Sequence, residues 1–226
     1  VGTNPASMRL LDGRQFQADL SVISFSADFE KFRGTQPSGA PISGGNGGAA
    51  GMIAPVPAAY FYTPINDDMH FGMSLSVPFG FKTEYERDWV GRYHGVTTDL
   101  KAIDLGAAFS YDVNPYVSFG ASVFVEHLTI ELSNAVDFGT IAYAASNGAS
   151  AQLGLFPGSA DGFATVEGDN NAFGYTLGTT LSPSEDTNIA FSYRSKVEHK
   201  ITNGKADFTV PANVAAALGQ PGSGLF

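Results

Sequence analysis

No stretch of this chain stays apolar for the roughly 20 residues that a membrane-crossing helix needs, yet segment after segment alternates apolar with polar or small side chains. A period of two is the signature of a strand with unlike faces. In "LKAIDLGAAFSYD", Ile103, Leu105, Ala107, Phe109 and Tyr111 share one face, and Asp104, Gly106, Ala108 and Ser110 the other. In "AFGYTLGTTLS", Phe173, Tyr175, Leu177 and Leu181 oppose Gly174, Thr176, Gly178 and Thr180. In "NIAFSYRSKVEHKI", Ile189, Phe191, Tyr193, Val197 and Ile201 oppose Ala190, Ser192, Arg194, Lys196, Glu198 and Lys200. "QFQADLSVISFSADF" and "YVSFGASVFVEHLTIEL" alternate but change phase once, near Val22–Ile23 and near Glu126–His127, which predicts a β-bulge in each. "GMIAPVPAAYFYTP" is the weakest strand, because Pro55 and Pro57 withhold ladder donors. "HFGMSLSVPFGFKTEY" alternates but carries Pro78 and Gly80. By parity it turns Phe71, Met73, Leu75, Val77, Phe79 and Phe81 one way and Ser74, Ser76, Pro78 and Gly80 the other.

The connections sort by length. Long segments (30–51, 83–99, 133–171) take turns with short ones ("TPINDD", "DVNP", "SPSED"). That rhythm belongs to an up-and-down barrel whose two ends face different compartments; a soluble sandwich has no reason for it. Composition agrees: 43% of residues are hydrophobic and only 15% charged, where a soluble domain carries about a quarter charged. Tyr60, Tyr62, Tyr111, Tyr116, Tyr193 and Trp89 fall near strand ends, as an aromatic girdle requires. The expected fold is all-β, a transmembrane antiparallel up-and-down β-barrel. About seven strands are legible. An odd count with a free edge in lipid is not a finished barrel, so the chain is expected to be one part of a larger one. It divides as residues 1–15 ahead of the barrel, 16–210 of barrel with its long loops, and 211–226 beginning a further loop.

Catalysis finds little support. His70, His94, His127 and His199 are scattered without metal-ligand spacing. "GGNGGAAG" lacks the lysine and helix of a phosphate loop, and "DGFATVEGDNN" lacks EF-hand spacing. No metal, cofactor or catalytic residue is expected. A net charge of −10 speaks against nucleic acid. With cysteine absent there is no disulfide framework. Glu126 and His127, at a phase change, are either a pair of which one points inward or a solvated polar pair.

Two features suit an amphiphile. The loop "NAVDFGTIAYAASNGASAQLGLF" is apolar although it lies outside the membrane, and exposed apolar patches mark binding surfaces. Its candidates are Phe138, Ile141, Tyr143, Leu153, Leu155 and Phe156, with "ANVAAALG" (212–219) as an opposite wall; the alternative is that these segments bury their apolar faces against one another. The second feature is the inward series Arg194, Lys196 and Lys200, interrupted by Glu198, which either binds a carboxylate or forms a plain charge ladder.

The chain resembles the FadL-type outer-membrane transporters of long-chain fatty acids and hydrocarbons. "TNPASMRLLDGRQFQADLSV" is similar to the family's junction of N-terminal hatch and first strand, with Asn4-Pro5-Ala6 at its Asn-Pro-Ala signature. "GVTTDLKAIDLGAAFSYDVN", "ELSNAVDFG" and "FSYRSKVEHKITNGKADF" match further segments in order. The resemblance implies a fourteen-stranded barrel plugged by a hatch, of which this chain is the N-terminal half and residues 1–15 the hatch end. It also implies an inward kink in the third strand, where parity turns Phe71, Met73, Leu75, Val77, Phe79 and Phe81 to lipid and Ser74, Ser76, Pro78 and Gly80 to the lumen, with Asn4 and Pro5 packed against that kink as a lateral gate. The implied function is uptake of hydrophobic molecules across the bacterial outer membrane, with capture at the apolar loops and lateral exit at the kink. Lipid and lipopolysaccharide are the expected surroundings. The family's internal pocket carries a cation, whereas Glu126–His127 offers only histidine, so the head group is either acid or absent. The competing readings are a general diffusion porin and a surface receptor barrel.

Overall fold

The computed structural model describes residues 1–30, 33–36 and 39–218. A single antiparallel sheet runs through β1 (Gln15–Phe25), β2 (Met52–Pro64), β3 (Met69–Glu84), β4 (Thr97–Asn114), β5 (Val117–Asp137) and β6 (Asp161–Ser184), each paired with the next. The seventh wall position is shared. There β7 (Thr187–Arg194) pairs with β6 next to the short turns, and β8 (Lys205–Thr209) pairs with its far end. The short turns are set by side chains that replace ladder bonds: Asn66 Oδ1 accepts from the backbone N–H of Asp68 (3.1 Å) and Met69 (2.8 Å), and Asn114 Oδ1 from that of Tyr116 (2.8 Å).

The two faces of the sheet differ in residue size. The inner face carries Gly72, Gly106, Ala108, Ser110, Ser118, Gly120, Gly174 and Gly178, and a 3-10 helix, Pro5–Leu10, lies on it. A Cβ at Gly120 would collide with the backbone of Pro5–Ala6, and one at Gly178 with Asn4 Oδ1. The outer face presents large apolar side chains to the surroundings: Phe173 is 82% exposed and Phe16 74%. Those side chains are not pressed against a second sheet, which removes the sandwich alternative. Their only favourable setting is hydrocarbon.

Neither phase change is a bulge. The β1–β2 and β5–β6 ladders run without a register shift through Val22–Ile23 and Glu126–His127, and β4–β5 stays in step there too. What changes is the solvent. Below this level the outer face is apolar (Ile103, Leu105, Val123, Val125, Phe173). Above it the same face turns polar (Lys101, Asp99, His127, Thr129, Asn171, Asp169), while Leu128 and Ile130 face inward. Strands that leave lipid for water reverse their polarity without altering their pleat.

The strands also run further than their alternation suggests. The β5–β6 ladder reaches Asp137↔Asp161, which narrows the 133–171 connection to 138–160. That span holds α1 (Phe138–Ala145) and a 3-10 turn, Ala149–Leu153, and α2 (Ala212–Leu218) packs beside them. Residues 219–226, the remainder of the expected further loop, lie outside the described residues, as do 31, 32, 37 and 38. Arg92 staples three connections together. Buried, it donates from Nε to Asp161 (2.6 Å) and from Nη1 to the carbonyls of Ser43 (2.7 Å) and Trp89 (3.1 Å). Tyr93 donates to the same Asp161 (2.7 Å), and burial, then that carboxylate, push its phenol up to about 12.

Candidate functional site

β3 is where the wall is incomplete. Its pairing with β2 covers only Ala59↔Leu75 to Pro64↔His70, although β2 begins at Met52 and β3 continues to Glu84. Toward β4 the pairing continues, with a register shift between Ser76 and Phe79. Val77 and Pro78 thus oppose one residue, Ile103, as in a bulge. Between residues 52–58 of β2 and 76–84 of β3 the ladder is open.

The shift reverses the faces that parity predicts. Ser76 is opposite Asp104 and Phe79 opposite Ala102, both inner-face residues, so Phe79 and Phe81 turn to the lumen and not to lipid. Gly80, opposite the outward Lys101, faces out, and a Cβ there would meet nothing within 4 Å. The end of the β2 ladder coincides with this bulge and not with any close approach at Gly80.

The N-terminal segment, expected to be the end of a hatch, is also seated differently from the expectation. Asn4 and Pro5 are away from the kink. Asn4 caps the 3-10 helix by accepting from Ala6 N–H (3.0 Å), while its Nδ2 donates to the carbonyls of Thr179 (3.3 Å) and Phe191 (3.2 Å). Ser118 donates to the Ala6 carbonyl (2.8 Å), and Ser7 meets Thr180 (3.0 Å). These anchors are on β5, β6 and β7, where the inner-face glycines leave room for them. The segment that reaches β3 is Val1–Thr3. A Cβ at Gly72 would collide with Val1 and with Met8 Sδ, and one at Gly2 would stand 3.2 Å from the Tyr60 ring. A pocket of about 250 Å³ lies between Val1–Thr3 and Tyr60–Tyr62, just below the opening. On the same side Tyr62 donates to the Leu11 carbonyl (3.0 Å) and meets His70 (2.9 Å), whose other nitrogen faces Asp112 (3.3 Å).

Above the N-terminal segment, the inner wall holds a charge network. Arg194 Nη2 donates to Asp104 Oδ2 (2.6 Å) and Glu126 Oε2 (3.2 Å). Its guanidinium carbon sits 3.7 Å from the centroid of the Phe124 ring. Phe124 in turn covers Gly174, where no larger side chain would fit. His199 Nε2 reaches the second oxygen of Glu126 (2.9 Å). Lys196 and Lys200 are not in this series. The chain leaves the ladder after Arg194, with Ser195 N–H donating to Tyr175 (2.9 Å), and alternation resumes in the opposite phase. His199 then turns inward, while Lys196 pairs with Glu198 in the open, 80% and 62% exposed. For Arg194 the geometry is that of a ladder. Of its partners, Glu126 is the inward member of the Glu126–His127 pair, while Asp104 and His199 are those that sequence did not single out; the inward parity of Asp104 was the available signal.

The outer lobe separates its candidates. Leu155 is fully buried, in a cluster with Ala142, Ala160, Val214 and Ala217 against which Phe138 packs. These two hold α1 to α2. Ile141, Tyr143, Leu153 and Phe156 are 41–59% exposed and form the lobe's apolar surface.

The family described as "Outer membrane protein transport protein (OMPP1/FadL/TodX)" matches residues 1–224. The long-chain fatty acid transport protein of Salmonella typhi is 29% identical over 202 residues, 88% of this chain and 44% of that protein. Outer membrane protein P1 of Haemophilus influenzae is 28% identical over 239 residues, 96% of this chain and 51% of that one. Among solved structures, a Pseudomonas aeruginosa FadL homologue superposes with a TM-score of 0.68 at 26% identity, over 86% of this chain and 46% of that one. The chain spans about half the length of the curated relatives it matches.

Proposed function

The chain belongs to the OMPP1/FadL/TodX family of outer-membrane transport proteins, and on that premise we propose that it forms the half of an uptake channel that holds the hatch and a sideways exit. The family is one of transport proteins rather than enzymes. Its relatives include a long-chain fatty acid transport protein and a toluene transporter, so the ligand class proposed here is a hydrophobic small molecule. Exposed Ile141, Tyr143, Leu153 and Phe156 capture it at the lobe. Inside, Phe79 and Phe81 offer an apolar path down the inner wall. The molecule leaves between β2 and β3 into the outer leaflet, so it never crosses the hatch-filled floor. Lys82 and Lys101, gathered around Asp99 at 3.5 and 3.0 Å on the outer face above the lipid-facing band, meet lipopolysaccharide head groups.

The observation that carries this reading is the ladder's end at Ala59↔Leu75 directly above Val1–Thr3. A hole in a lipid-facing wall leaves backbone groups without partners, so it persists only where something uses it. A diffusion porin needs no such gap and is not served by a docked hatch. The test is a disulfide lock. Continuing the register places residue 57 opposite 77, and cysteines at both, in the complete barrel, should close the opening under oxidation. Uptake of a labelled hydrocarbon should stop when locked and return with reductant. Full uptake in the locked state would send the ligand elsewhere.

A further inference from the structure

A buried relay ties the end of the N-terminal segment to the wall, and it is one hydrogen short. Tyr62 Oη donates to the Leu11 carbonyl (3.0 Å) and stands 2.9 Å from His70 Nδ1, while His70 Nε2 stands 3.3 Å from Asp112 Oδ2. Tyr62 and His70 are both buried, so bulk water does not complete the set. Three contacts need three hydrogens, and the phenol carries one and a neutral imidazole one. With Asp112 ionised, a neutral His70 therefore leaves one contact unmade. The choice is unequal. Nε2–H on Asp112 is a charge-assisted bond, whereas the other tautomer sets a ring lone pair against a carboxylate whose Oδ1 already lacks a partner among the described residues. The neutral ring thus keeps Asp112, Nδ1 takes the Tyr62 hydrogen, and the Leu11 carbonyl loses its donor. One proton added to the His70–Asp112 pair makes Nδ1 a donor as well, and Tyr62 is free to hold Leu11.

Leu11 is placed for this to matter. It caps the 3-10 helix, its N–H donating to the Met8 carbonyl (3.0 Å), and it lines the pocket of about 250 Å³ between Val1–Thr3 and Tyr60–Tyr62 beneath the opening. Each neighbouring element sends one titratable or charged group toward the relay. β2 supplies Tyr62, β4 supplies Asp112, and the segment after the 3-10 helix supplies Asp12, near the Tyr62 phenol. The helix itself supplies Arg9, whose Nε stands 4.0 Å from Asp112 Oδ2 while its Nη2 donates to the Pro115 carbonyl (2.6 Å). Resting on the uptake reading above, we infer that His70 is a positioning residue that makes the opening proton-sensitive. Protonated, it keeps Leu11 clamped and the pocket floor closed. Neutral, it releases Leu11 and lets the N-terminal segment give way to the ligand. His70 touches no ligand; it acts through Tyr62. Imidazole exchanges a proton between about pH 5 and 8, and His70 is the second residue of β3, at the short-turn end that such barrels direct to the periplasm.

The test uses the complete barrel in liposomes and uptake of a labelled hydrocarbon, which does not itself titrate, at about pH 5 and about pH 8. Native uptake should rise about fivefold from the acid to the alkaline end, the worth of one hydrogen bond. Tyr62→Phe keeps the ring that packs with Met8 and Ala108 and removes only the hydroxyl, so its uptake should be fast at both ends. His70→Gln, with no proton to exchange, should also give a flat profile. A packing role alone would change the level of uptake in these variants and leave its pH dependence intact, and that result overturns the inference. So does equal native uptake at both ends. A spin label on Arg14→Cys, at an exposed position just past Leu11, reports the segment directly. Its mobility should rise with pH in the native background and stay high in Tyr62→Phe; the same mobility at both ends overturns the inference even where uptake changes. No uptake at either end, with the label still responding, would instead remove the uptake reading itself, and the gate with it.

Discussion

Replacing Pro55 and Pro57 of β2 by threonine should close the wall. Residues two apart on a strand direct their backbone groups to the same neighbour, so both prolines withhold donors from one side. The β1–β2 ladder runs unbroken past both of them, at Val22↔Pro55 and Leu20↔Pro57. The missing N–H groups therefore belong to the other edge, the one β3 abandons above Leu75. Two donors that would otherwise stand unpaired in hydrocarbon, at several kcal/mol each, are simply absent. Threonine restores them. If each finds a carbonyl on β3, the closed wall gains about 1 kcal/mol per bond. Together that is about 2 kcal/mol, roughly a thirtyfold shift away from the open state. The assay pairs uptake of a labelled hydrocarbon with hydrogen exchange at the two new amides. Uptake should fall at least about tenfold, and both amides should become protected. Protected amides with undiminished uptake would refute the exit. Amides that exchange freely would refute the claim that this edge is dry.

Other outcomes follow from the same contacts. Gly178→Ala should unseat Asn4 at a cost of about 1–3 kcal/mol, read as faster tryptic cleavage after Arg9 and as new ion conductance; an unchanged hatch would contradict the docking described. Gly80→Thr should leave uptake unchanged, because nothing lies within 4 Å of the position and it faces outward. Leu155→Ala should loosen the lobe by about 2–5 kcal/mol and speed its proteolysis, whereas Ile141→Ser with Phe156→Ser should spare the lobe and slow capture. The Tyr93 phenol, raised from 10.0 to about 12, stabilises the clamp fully below pH 10 and loses that contribution as pH rises through its folded value. A tyrosine absorbance titration of Tyr93→Phe should lack the component near pH 12, and proteolysis of the native lobe should accelerate in the same window.

Alternation and loop rhythm are local properties, and they revealed the barrel, the number of wall positions and the outward face of Phe173. Solvent is not local. The phase changes at Val22–Ile23 and Glu126–His127 look like bulges because a bulge and a change of medium leave the same mark on hydropathy. The true bulge, at Val77–Pro78, left the alternation undisturbed, so Phe79 and Phe81 were assigned to lipid. Pro55 and Pro57 weakened β2 on paper because a proline was counted against both neighbours, when it costs only the one it faces. Arg194 was visible as an inward cation, but Asp104 and Glu126 lie far from it in sequence, and only the curvature of the wall brings them within 3.2 Å.

The polarity reversal on β4, β5 and β6 has a consequence for traffic. From His127 to Asp137 the wall climbs roughly 25 Å further, at about 3.3 Å per residue and a tilt near 40°. That height passes through the hydrated sugars coating the cell, a layer that repels oily solutes more firmly than the bilayer beneath. In the uptake route proposed above, a doorway raised above that coat, with its outlet set below it, would let a greasy molecule step around the sugars instead of dissolving in them. On that proposal the tall stem matters as much as the opening between β2 and β3.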